Sequence, residues 1–89
     1  MKANGDEAGR FSNVYLAYVF DLGYDMKERA LQAKQERDSA TTAEDRAFET
    51  GRVMAFNEVI SMTQQNAQGL GIPLSDLRLD DIVPDRDLV

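Results

Sequence analysis

Val53, Phe56, Ile60, Thr63, Ala67 and Leu70 follow one another at alternating steps of three and four residues. That spacing is a helical seam of the coiled-coil kind, and no strand can present it on one side. Phe48, Ala55, Val59 and Met62 form a second apolar edge beside it. A helix this broadly apolar must be covered on more than one side. Its stop is written into "QGLGIP": Gly69 or Gly71 can take the left-handed position, Ile72 can fold back on the last turn, and Pro73 forbids continuation. Its start is written into "TTAED", where Thr41 followed by Glu44 matches a capping box and Asp45 suits a helix N-terminus.

An earlier helix is predicted from Ser12 as cap, with Phe11 and Leu16 as a hydrophobic staple, to about Asp38. Tyr15, Val19, Leu22, Met26, Ala30 and Ala33 make its main line, and Leu16, Phe20, Tyr24 and Leu31 a second one beside it. The segment "VFDLGYD" also admits a strand and turn around Gly23, but the apolar spacing on both sides favours continuous helix. Residues 1–10 are polar and aperiodic and read as a disordered N-terminal arm. Residues 11–83 read as a helical hairpin domain with a short C-terminal excursion, capped by Ser75 and packed through Leu74, Leu77, Leu79 and Ile82. Residues 84–89 read as a flexible tail.

A short connection between two long helices folds them antiparallel. A turn centred near Ala40 makes facing residue numbers sum to about 81, which pairs Leu22 with Val59, Met26 with Ala55, Ala30 with Gly51 and Ala33 with Phe48. On that register Gly51 is the point of close approach. One hairpin cannot cover both apolar lines. The predicted fold is therefore all-α, an antiparallel helical hairpin that dimerises into a four-helix bundle. Tyr15, Tyr18, Phe20, Tyr24, Phe56 and Ile60 are the predicted interface residues. Asn57, Ser61, Gln64 and Gln68 line up as a neutral polar stripe. It is read as facing water, with hydrogen bonding across an interface as the alternative.

What the chain lacks limits its chemistry. Its 89 residues include no cysteine and no histidine. This excludes disulfides, thiolate metal sites and the commonest general base. The net charge is −6, and residues 72–89 hold five aspartates against two arginines. With no basic patch, a nucleic-acid partner is not expected. The longest apolar run, "VYLAYVF", is far shorter than the roughly 20 residues of a membrane span. Acidic residues flank it where a signal sequence needs positive charge and a small-residue cleavage site. A cytoplasmic chain without a membrane partner is the expectation.

Asp21, Asp25 and Glu28 fall on one helix face, and the register above brings Glu58 near Asp21. These four are the only metal candidates. Carboxylates on facing helices resemble the Mg²⁺ sites of all-α nucleotide pyrophosphohydrolases. The paired glutamates with a third one turn on that mark those enzymes are missing here. The sequence therefore predicts no catalytic residue and no cofactor. It points to a non-catalytic interaction or regulatory module, a small acidic helical homodimer that engages another protein through its helix faces or its acidic C-terminal segment. The alternatives are a small Mg²⁺-dependent all-α enzyme acting on a nucleotide or phosphate compound, and an acidic inhibitor occupying a basic site on another protein.

Overall fold

The computed structural model describes the backbone of residues 2–89 and the side chains of residues 13–89. These residues are all-helical, with no strand among them. Helix α1 runs Lys2–Ser39 and helix α2 runs Ala43–Gly69. They pack against each other as a hairpin, and a single 3₁₀ turn, Leu74–Leu77, and a one-turn helix α3, Pro84–Asp87, complete the chain. The molecule is a rod measuring 62 × 20 × 16 Å. At about 1.5 Å per residue, α1 alone accounts for most of that length.

α1 is continuous through Gly23, so the helical reading of "VFDLGYD" holds. Its backbone reaches back beyond the start expected near Ser12 and includes residues 2–10, where a disordered arm was expected. The Ser12 cap and the Phe11–Leu16 staple lie outside the described side chains.

α2 begins one residue later than the capping pattern implied. Thr42 is the cap, with extended backbone, and its hydroxyl accepts the Asp45 amide at 3.0 Å. Thr41–Glu44 and Thr42–Asp45 offer the same chemistry one step apart, and the chain uses the second. The C-terminal stop is as expected. Gly71 has φ +72°, and the Ile72 amide folds back to the Ala67 carbonyl at 2.8 Å. This is a Schellman ending with Gly71 in the position only glycine fills without strain.

The core follows the predicted seams in part. Ala30 and Ala33 of α1 and Val53, Ile60 and Ala67 of α2 are buried, with Val19, Met26 and Phe56 packed against them. Leu70, placed last on the α2 seam, is 77% exposed. The sequence register is also displaced. Glu36 pairs with Arg52 at 3.0 Å, whereas facing numbers summing to 81 would set it beside Asp45. Gly51, expected against Ala30, is exposed, and a Cβ there would meet nothing within 4 Å.

The C-terminal twenty residues account for the largest difference. They fold back along the hairpin instead of leaving it. Leu77, Leu79, Ile82 and Leu88 join the core, and Pro84 is buried as well. Among the described residues the largest fully buried side chains are Ile60, Leu79, Leu88 and Val53, and two of these come from this segment. Each such burial is worth about 1.5–3 kcal/mol. Residues 84–89, expected as a flexible tail, are therefore docked. Ser75 does not cap the 3₁₀ turn, whose cap is Pro73 with no side-chain hydrogen bond.

Candidate functional site

Helical geometry divides the surroundings of the α1–α2 seam into two flanks. On α1, Phe20, Lys27 and Lys34 lie to one side of the Met26–Ala30–Ala33 line, and Tyr18, Leu22 and Arg29 to the other. On α2, Asn57 and Gln64 lie to one side of Val53–Ile60–Ala67, and Arg52 and Val59 to the other. The C-terminal segment fills the first flank. The second is open.

The filled flank is held by three kinds of contact. First, two carboxamides of α2 grip main chain. Asn57 Nδ2 donates to the carbonyls of Pro84 (2.9 Å) and Leu88 (3.2 Å). Gln64 Nε2 donates to those of Leu79 (3.0 Å) and Ile82 (2.9 Å). Second, the basic residues of α1 meet the acidic segment. Lys27 pairs with Asp81 at 2.8 Å, Lys34 donates to the Asp87 carbonyl at 2.9 Å, and Arg37 donates to the Val89 carbonyl at 3.0 Å. Third, the Arg78 guanidinium lies 3.9 Å from the centre of the Phe20 ring and 4.9 Å from that of Tyr24. Arg78 adopts φ 55°, the only positive φ of a non-glycine residue in the described chain. That conformation costs about 1–2 kcal/mol. Stacking on an aromatic ring returns about 0.5–2 kcal/mol.

Gly23 makes this arrangement possible. A Cβ built on it would fall 1.8 Å from the Leu77 carbonyl oxygen. The 3₁₀ turn thus lies directly on the α1 backbone, and no larger residue fits between them.

Charge in this C-terminal clasp, residues 74–89, is tuned to match. Lys27 holds the Asp81 carboxyl below its ordinary pKa. Arg86, and then the Val83 amide that donates to it at 2.8 Å, hold Asp87 down to about 2. Both groups are anionic at neutral pH, as their contacts require.

On the open flank, Tyr15 and Tyr18 are 66% and 64% exposed, Leu22 is 42% exposed and Val59 39% exposed. Met62 stands out at the edge of this flank and Leu70 at its end. Arg52 closes the other end by bridging Glu36 and the buried Glu49.

The six predicted interface residues divide among these environments. Tyr15 and Tyr18 lie on the open side. Phe20 and Tyr24 lie under Arg78 on the clasp side, Tyr24 remaining partly exposed. Ile60 is fully buried and Phe56 packs against the core, so both serve the chain's own interior. The four metal candidates Asp21, Asp25, Glu28 and Glu58 are all exposed. Among the described residues no three such side chains come together in a way that could hold a cation. The polar stripe, expected to face water, splits as well. Asn57 and Gln64 turn inward to the clasp, Ser61 reaches Asn57 at 3.4 Å, and Gln68 is exposed. The spacing of these amides was visible in the sequence, but the main chain they hold was not.

No family model matches the chain, and neither a curated protein nor a solved structure matches it. Among the described residues no helix is long and apolar enough to cross a membrane.

Proposed function

We propose that this chain is a non-catalytic interaction module whose working surface is the open flank, and that the surface is occupied by a second copy, giving a four-helix bundle. One observation carries the reading. The chain covers one flank of its seam with a dedicated segment and leaves apolar and aromatic side chains uncovered on the other. Contiguous apolar surface of this kind marks an interaction site on a small protein. Tyrosine serves such sites well because its ring buries area while its hydroxyl stays hydrated. A self-complementary face joins its copy about a two-fold axis. The acidic C-terminal segment supports the reading in another way. Its Asp81 carboxylate is paired with Lys27 of the same chain, and Lys34 and Arg37 hold its main-chain carbonyls, which disfavours a role as a free acidic mimic.

Sedimentation equilibrium across micromolar concentrations tests this. The wild-type chain should sediment at twice its 10.0 kDa mass. The double substitution Tyr18→Asp and Leu22→Asp should give a monomer with unchanged helical circular dichroism. A wild-type chain that stays monomeric throughout would remove the second copy from the proposal.

A further inference from the structure

We infer that the groove on the filled flank accepts the C-terminal clasp of a second copy in place of its own, so that two chains exchange clasps through the Leu70–Pro73 hinge. The argument is independent of the open flank. The clasp's anchoring contacts run to α1 or α2: Lys27 to Asp81, Lys34 to the Asp87 carbonyl, Asn57 and Gln64 to four carbonyls, and Phe20 to Arg78. A clasp donated by another copy keeps all of them. The ion pair is kept too, since the donated segment brings the same Asp81 to Lys27.

What exchange would alter is the hinge, and the hinge holds little. Leu70 is 77% exposed, and a Cβ on Gly69 or Gly71 would meet nothing within 4 Å. The links that break are the two amides of the return turn, Gly71 to the Gln68 carbonyl and Ile72 to the Ala67 carbonyl, made through the left-handed conformation of Gly71. The balance between the two forms is therefore set by one glycine and by concentration. Identical contacts made between copies cost only the effective concentration of the tethered segment, in the millimolar range for a short connection. Reciprocal exchange of an identical element closes with two-fold symmetry and leaves no groove empty.

The contact between Arg78 and Phe20 reports which form is present, because it lies on the filled flank and a dimer through the open flank does not span it. Equal amounts of ¹³C-labelled and unlabelled full-length chain are unfolded together, refolded at millimolar concentration, and examined by isotope-filtered NOE spectroscopy. An Arg78–Phe20 signal between a labelled and an unlabelled chain is expected. Gly71→Val strains the return turn and should raise the exchanged fraction roughly tenfold. Mixing Lys27→Glu with Asp81→Lys offers a second measurement. Each variant alone faces like charges, while exchanged heterodimers restore both ion pairs, so heterodimers should outnumber homodimers. An Arg78–Phe20 contact confined to single chains in both wild type and Gly71→Val, with no heterodimer excess, would overturn the inference.

Discussion

The two flanks of the α1–α2 seam are built from similar material and end in opposite states. Each carries aromatic and aliphatic side chains of α1 beside a mixed row of α2. On one flank Phe20 and Tyr24 lie under Arg78 and the groove holds Leu79 and Leu88. On the other, Tyr18 is mostly exposed, and Leu22 and Val59 are partly exposed. Polar side chains follow the same division. Gln64, toward the clasp, donates its amide to two carbonyls of another segment, while Thr63, one residue before it, donates to the Val59 carbonyl of its own helix at 2.8 Å. Apolar content does not decide which flank is covered. What sets the filled flank apart is that Asn57 and Gln64 satisfy the carbonyls of the incoming main chain.

The largest expected difference is in buried volume. Leu79→Ala should cost about 2–5 kcal/mol in chemical denaturation, because it empties a site with no solvent access. Leu22→Ala on the open flank should cost about 1 kcal/mol or less. Equal losses would mean that the open flank is as tightly packed as the filled one.

The two mid-helix glycines sharpen the contrast. Gly23→Ala should destabilise by about 1–3 kcal/mol, since the new methyl collides with the Leu77 carbonyl and the turn must move. Gly51→Ala should stabilise by about 1 kcal/mol, the ordinary helix-propensity gain at an open position. Thermal melts of the two variants should therefore shift in opposite directions.

Carboxamide anchoring comes next. Gln64→Ala leaves the Leu79 and Ile82 carbonyls without this donor and should cost about 1–3 kcal/mol. Thr63→Ala should stay within about 0.5 kcal/mol. Backbone hydrogen exchange over residues 74–88 should quicken in the first variant and not in the second.

The smallest effect is that of pH. The folded pKa values of Asp81 and Asp87 lie below the ordinary value near 3.8. Their contribution to stability is thus present above about pH 4. It fades as the pH falls toward about 2, where Asp87 takes up its proton. A proton titration followed at the Val83 amide should show this low midpoint, while open-flank resonances should shift little over the same range.

The hairpin was legible in the sequence because its signals are local: a seam of threes and fours, a threonine cap, and a glycine–proline stop. The cap was placed one residue early because Thr41 and Thr42 each have an acid three residues on. The role of the glycines was not legible. Propensity penalises Gly23 and Gly51 alike, and the carbonyl that distinguishes them belongs to Leu77, far along the chain. The clasp was legible only in its leucines. A carboxamide holding main chain leaves no mark on the residues it holds, so Asn57 and Gln64 looked like a water-facing stripe. Tyr15 and Tyr18 could be named as surface candidates from their type, whereas Phe56 and Ile60 could not be told from core, since interior and interface draw on the same residues.

The reach of the Lys27–Asp81 pair has a consequence in time. Its partners stand 54 positions apart, against 16 for Glu36 and Arg52. Closing the short loop of the hairpin costs less entropy and comes first. Once α1 and α2 are side by side, the clasp has only the few residues of its hinge left to close. The expected order of assembly is hairpin before clasp. Damage to the clasp then appears as faster opening of the finished structure, with little slowing of its formation.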